Sequence, residues 1–318
     1  MATAYEKQMS NPSFMGAMEV LPIIATLDNH DYGLGNADRN NPYKDIAKQY
    51  FMDFFQVPET DERRTRDGVY TSYMYGDVKK GTGLQIILLD VRHACSEMSG
   101  SRDGNENGID INTDTETMLG DVQWEWLHEQ FSVPADVRLV VSSIQLIATG
   151  HPFFCWNNIS TKELERFYKF LSDSSYSGTT IILSGDRHVG GIYRHNLTDT
   201  DEVSPPSPSP SSPVNGISSS LYEITASSFT HTVPLPPDAP DDFCWNPGGT
   251  TSEECDDPDP ERLYPYVRVN HFASLNFDWA RRVVIAGLVR TDATLKSHAH
   301  HYNLPDSGET LQSVEIGF

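Results

Sequence analysis

The stretch "LPIIATLDNHDYGLGNAD", Leu21–Asp38, decides how this chain is read. A short apolar run, Leu21–Thr26, leads into Asp28-Asn29-His30-Asp31, and glycines follow. Short runs rich in β-branched residues, bounded by turn formers, are predicted as buried strands. In open α/β sheets, ligands gather beyond the carboxyl ends of the strands, so polar groups placed there are candidates for chemistry. The plainer alternative is a solvated turn closed by an Asx hydrogen bond.

The pattern recurs along the chain. Leu84–Leu89 is followed by Asp90 and Arg92, Val137–Ser142 by Ser143 and Gln145, and Thr180–Leu183 by Ser184-Gly185-Asp186-Arg187-His188. Leu221–Thr225 and Val283–Val289 are two further candidate strands. Between them, helical periodicity covers Tyr43–Phe55, with Ile46, Tyr50, Phe51, Phe54 and Phe55 on one face. It also covers Leu119–Phe131, with Val122, Trp126 and Leu127, and Ser160–Leu171, which opens on a Ser160/Glu163 capping box. Strands alternating with helices predict an α/β layered fold with mixed sheets. Two stretches fall outside that core: 198–216, which contains "SPPSPSPSSP", and 234–260, rich in Pro, Gly and Asp. A strand pattern resumes after each, so both read as surface loops of a single domain spanning 1–318.

Four strand ends would thus bring acids, histidines, an amide and an arginine to one sheet edge. Asn29, Asp186 and His188 offer an amide oxygen, a carboxylate and an imidazole, a mixed donor set for cations. Asp31 is placed to hydrogen-bond His30 and leave the other ring nitrogen free to protonate a leaving group. Arg92 is either an oxyanion clamp or a structural partner of Asp90. Asp28, Asp90 and Gln145 read as supporting groups.

The chain carries 23 Lys and Arg against 45 Asp and Glu, a net charge of −22. That balance argues against nucleic acid and anionic membranes as partners, and an anionic substrate would need local positive charge, most simply cations. No apolar run approaches the length of a transmembrane helix. Cys244 and Cys255 flank a ten-residue Gly/Pro loop short enough to close with a disulfide. With the sequons at Asn158 and Asn196 and the acidity, they point toward an extracellular or secretory setting. His151, in "GHPFF", and the cluster His298–His301 read as turn and surface histidines.

"IIATLDNHDYG", "FMDFF", "DGVYTSYMYGD", "LQIILLDVR", "MLGDVQWEWL", "VSSIQLIATG", "ERFYKFL" and "IILSGDRHVGGIY" follow in an order that resembles the PhoD-like (alkaline phosphatase D) branch of the calcineurin-like metallophosphoesterases. A weaker match falls at "VNHFASLNFDW". The resemblance implies a layered α-β-β-α sandwich of two mixed sheets with metals at the strand ends. It implies Asn29, Asp186 and His188 as metal ligands and His30 facing the phosphate. It implies calcium and iron as metals, and hydrolysis of small-molecule or lipid phosphate monoesters and diesters through a metal-bound hydroxide. The family's first motifs, which include a "GDxxY"-type strand end, lie upstream of the strand matched by Leu21–Thr26. Here 20 residues precede that strand, without a Gly-Asp, although "AYEKQMSNPSF" is similar to the family's linker just before it. The resemblance therefore leaves about half of a two-metal site, in a chain that reads as lacking the family's N-terminal third. The competing expectation is a catalytically inactive fragment or pseudoenzyme that keeps one cation or phosphate site.

Overall fold

The computed structural model describes residues 2–33, 37–96, 116–148, 155–156, 160–172, 176–197, 220–230, 232, 259–291 and 308–318. Cys244, Cys255, His151, Asn158, His298–His301, the loop 198–216 and residues 234–258 of the second loop lie outside them.

A six-stranded sheet organises the molecule. Its strands are β1 (Thr71–Tyr75), β2 (Leu84–Leu88), β3 (Val137–Val141), β4 (Thr179–Ser184), β5 (Gly190–Asn196) and β6 (Ser220–Ala226), in spatial order β1-β2-β3-β4-β6-β5. The four central strands β2, β3, β4 and β6 are parallel, and β1 and β5 close the edges antiparallel. Central parallel strands are covered on both faces, which is why "LQIIL", "VRLVV" and "TTIILS" are near-continuous apolar runs. The polar exceptions are paired: buried Arg138 donates to the Gln85 side chain (2.9 Å) and to the carbonyls of Phe131 and Val133 (3.1 and 2.6 Å).

Helices α1 (Ala2–Met9), α2 (Pro12–Val20), α3 (Lys44–Phe54), α4 (Gly120–Ser132) and α5 (Thr161–Leu171) complete the described elements, with β7 (His271–Asp278), β8 (Val283–Arg290) and β9 (Thr310–Gly317). The aromatic side chains of α4 and α5, among them Trp124, Phe131, Phe167 and Phe170, pack with Ile87, Val140 and Ile182 on one face of the large sheet. On the other face, Leu139, Ile181 and Ile224 meet Val284, Ala286, Leu288 and Ile316 of the second sheet, β7-β8-β9. A third cluster joins Leu27 and Tyr32 to Phe51 and Met52 of α3.

The layered α/β architecture is the expected one, with two differences. The second sheet is antiparallel throughout, not mixed. Leu21–Thr26 pairs with no strand among the described residues; Leu21 is 59% exposed and Ile23 and Ile24 37% each. Its composition suits a buried strand, but no neighbour offers it a ladder there. It is tied down by the Thr26 hydroxyl, which donates to the Leu89 carbonyl at 2.6 Å. Two helix faces also turn differently from the periodicity reading. Ile46 and Val122 point to solvent, while Ala47, Phe51 and Met52 of α3 and Trp124 and Leu127 of α4 face inward.

Ser160 caps α5 as expected, its hydroxyl accepting from Glu163 N at 3.2 Å. Glu163 does not complete the box. Its carboxylate, 5% exposed, accepts instead from Thr117 Oγ1 (3.0 Å), from the Met118 and Leu119 amides and from the Trp124 indole. The acid predicted to close its own helix serves the N-terminus of α4, where negative charge is favoured.

Candidate functional site

Because β2, β3 and β4 are parallel, their carboxyl ends open on one edge of the sheet, and three polar turns meet there. The first begins at Asp28, whose residues Asn29–Tyr32 form a single 3₁₀ turn closed by Gly33 in the left-handed region (φ 78°). The Asp28 carboxylate is the hub: Oδ1 accepts from Arg92 Nε at 2.7 Å and from Ser143 Oγ at 2.8 Å. Groups from the Asp28 turn, the β2 end and the β3 end thereby converge on one oxygen.

The β4 end brings the second acid. Arg92 Nη2 lies 3.9 Å from Asp186 Oδ2, so one buried guanidinium, 1% exposed, stands against two carboxylates. Burial and the neighbouring Asp28 carboxylate push Asp186 up to about 7, against the pull of Arg92 and Arg187. Its backbone is strained as well. Asp186 (φ 67°) and His188 (φ 53°) are both left-handed, though neither is glycine, and such positions cost about 1–2 kcal/mol each. Two of the four such residues in the described structure sit two positions apart at this one strand end. Left-handed strain gathers at functional turns.

The other predicted residues divide into positioners and side chains facing solvent. Asp90 is wholly buried and used by backbone: Oδ1 accepts from the Arg92 and His93 amides (3.0 and 2.9 Å), and Oδ2 from the Val69 amide (2.9 Å). It sets the turn that aims Arg92. Gln145 is also fully buried; its amide nitrogen donates to Tyr193 Oη and Thr225 Oγ1, both at 2.9 Å, and its oxygen accepts from Arg187 Nη1 at 3.0 Å. It holds the β4 turn in place.

His30 and His188 are exposed, and the His188 amide donates to Ser227 Oγ at 3.0 Å. Asn29 is buried, its Oδ1 accepting from the His30 amide at 2.8 Å. Asp31 is not bonded to the His30 ring. Its two oxygens accept from the Asp28 amide (2.9 Å) and from Tyr5 Oη (3.2 Å), and burial raises its pKa. Its side-chain donor is the hydroxyl of Tyr5, 26 residues upstream on α1, and no local pattern announces it.

A cavity of about 420 Å³ adjoins His30 and Asp31, walled by Tyr5, Phe14, Phe51, Phe54 and Phe55. Tyr5 packs tilted against Phe54 and Phe14 stacks on it, at 4.8 and 5.5 Å between ring centres, so α1 and α2 form one side of this aromatic wall.

The donor chemistry can be tested against a cation. Two carboxylates with Arg92 standing in for positive charge, and the Asn29 amide beside them, suit a hard, oxygen-seeking ion. Among the described residues, no three His, Cys, Asp or Glu side chains converge closely enough to hold one. These residues gather oxygen donors but, among the described residues, form no closed metal centre.

No known family's sequence pattern matches the chain, and no curated protein matches it. Among solved structures it is similar to PhoD, with a TM-score of 0.62 and 13% identity over 98% of this chain and 54% of that one. A second structure, GAP50, the anchor in the inner membrane complex of Plasmodium, superposes with a TM-score of 0.38 and 10% identity over 78% of this chain and 54% of that one, too low to carry an argument. The chain spans about half the length of PhoD, and the likeness is one of fold. No helix among the described residues is long and apolar enough to cross a membrane.

Proposed function

We propose that the strand-end cluster is the phosphate-handling site of a metal-dependent phosphoric ester hydrolase acting on monoesters or diesters. The observation that carries this reading is the meeting of Asp28, Arg92, Ser143 and Asp186, from four separate stretches of sequence, at the carboxyl edge of the parallel strands. The PhoD-like fold supports it.

Asp28 and Asp186, with Asn29 and His188 beside them, would hold a cation of the calcium class, which takes oxygen donors. Such an ion, when bound, polarises a phosphoryl oxygen and supplies the positive charge that a chain of net charge −22 otherwise denies an anionic substrate. The iron that the resemblance implies has less support, because all the gathered donors but the His188 imidazole are oxygens. Arg92 is a positioning residue: its Nε fixes Asp28 and its Nη2 offsets the charge of Asp186. His30, exposed on the Asp28 turn, is the group placed to protonate a leaving oxygen. The aromatic cavity beside it offers an apolar leaving group a dry wall.

Because no three His, Cys, Asp or Glu side chains among the described residues converge as a formed metal group, the chain also admits a second reading, a protein that binds a cation or phosphate without turning over ester. Hydrolysis of p-nitrophenyl phosphate and bis(p-nitrophenyl) phosphate, with calcium or manganese added and then removed by EDTA, separates the two. The hydrolase reading expects metal-dependent turnover that falls at least a hundredfold in His30→Ala and Asp186→Asn. Cation binding without turnover establishes the second reading, and neither binding nor turnover rejects both.

A further inference from the structure

A second cleft, of about 820 Å³, lies between the loop that leads into β1, the turn after β2 and the N-terminal ends of α4 and α5. Its lining includes Arg39, Lys44, Arg66, Lys162 and Arg166, five of the chain's 23 lysines and arginines. Against a net charge of −22, that concentration needs a reason.

The usual reason would be ion pairing, and it does not account for this cleft. Arg39, Lys44 and Arg166 form no salt bridge among the described residues, in a chain with 45 acidic side chains; Arg166 lies over the Trp124 ring at 4.2 Å instead. Two of the four acids on the wall, Glu163 and Asp67, are poorly placed to neutralise them. Glu163 is taken up by the donors at the start of α4, and the Asp67 side chain is 94% exposed.

A buried histidine supplies an independent sign of a ligand. His93 is 6% exposed, forms part of the cleft wall, and neither ring nitrogen makes a hydrogen bond. Its closest acid, Asp67, stands at 3.6 Å, beyond hydrogen-bond reach. Leaving a buried polar group unsatisfied costs about 1–3 kcal/mol, so a ring without a hydrogen bond among the described residues is poised for a partner. The N-terminus of α4, a helix of 13 residues, opens onto the same space at Gly120, Asp121 and Val122, adding a favourable dipole.

We propose that this cleft is a second binding site, separate from the strand-end cluster, for a small ligand bearing a phosphate- or pyrophosphate-type group. Arg39, Lys44 and Arg166 supply the long-range attraction, His93 a buried hydrogen bond, and Tyr70 and Leu119 the apolar remainder of the wall. One turn serves both sites: the Asp90 carboxylate fixes the consecutive amides of Arg92, which faces Asp28, and His93, which faces the cleft.

The test is calorimetric titration of the full chain with pyrophosphate, at low ionic strength and after EDTA treatment to remove cations from the strand ends. The expected result is one saturable site, weakened at least tenfold by the double variant Arg39→Glu/Lys44→Glu and weakened by salt, but unchanged in Asp186→Asn. Arg39 is exposed and Lys44 half-buried at the start of α3, and circular dichroism verifies that the double variant folds. Imidazole NMR signals that are absent from a His93→Gln variant should shift on addition of pyrophosphate. No saturable binding, binding indifferent to the Arg39/Lys44 charge reversal, or binding lost in Asp186→Asn would each overturn the proposal.

Discussion

Replacing Asp186 by Asn should make the protein more stable, and more so as the pH rises. The Asp186 carboxyl is pushed up to about 7 from an ordinary value of 3.8, chiefly by burial and then by the Asp28 charge. An acid whose folded pKa lies above its unfolded one favours folding only while protonated. That contribution is complete below about pH 4 and is lost as the pH climbs to about 7. Three pH units of separation correspond to roughly 4 kcal/mol. Asparagine keeps the shape, carries no charge and tolerates the left-handed φ of 67°. The variant should therefore gain about 4 kcal/mol at pH 8 but only about 1–2 kcal/mol at pH 5. In a chain of this size that is a rise in melting temperature of roughly 8 °C at pH 8. Thermal unfolding followed by circular dichroism at both pH values, in EDTA, measures it. A variant that melts at or below the parent at pH 8, or gains equally at both pH values, would refute the reasoning. A gain bought with loss of the site's function is the usual relation between a charged functional cluster and stability.

Glu163→Ala should cost roughly 3 kcal/mol or more, because it strands the Thr117 hydroxyl, two amides and the Trp124 indole in a buried place. Denaturant unfolding reads the loss, and a shift in tryptophan emission reads the change at Trp124. Gly190→Ala should cost about 1–3 kcal/mol, since an added Cβ would meet His271 Nε2 at 2.6 Å and Leu288 Cδ1 at 2.8 Å between the two sheets. Urea unfolding checks it, and an unchanged midpoint would contradict the packing described there.

The parts of the fold that were legible in the sequence were those where composition and burial agree. The central strands β2, β3, β4 and β6 are covered on both faces and read as apolar runs, and so does β8. β5 begins with two glycines, and β9, "TLQSVEIG", mixes polar residues into a largely exposed strand, so neither displays a clear run. Leu21–Thr26 misled in the opposite direction: its residues suit a strand, yet pairing depends on a neighbour, which a local pattern does not report. At the candidate site the polar strand ends were visible as residue types, but their alliances were not. Asp28 binds across 64 residues to Arg92 and across 115 to Ser143, and Asp31 turns to Tyr5 instead of its neighbour His30. Burial of Asp90 and Gln145, which makes them positioning groups, likewise follows only from the packed turns. Cleft-lining charges such as Arg39 and Arg166 are 127 residues apart and look like ordinary surface residues until the fold joins them.

The central claim is that Asp28 and Asp186 hold a cation at the strand ends. It is tested most directly by calcium titration near pH 6, run calorimetrically in two buffers of different ionisation enthalpy. Asp186 is then largely protonated, so binding should occur at one site and release close to one proton, with affinity rising toward pH 8 and vanishing in Asp186→Asn. Absence of saturable binding, or binding that survives Asp186→Asn with no proton released, would contradict the account.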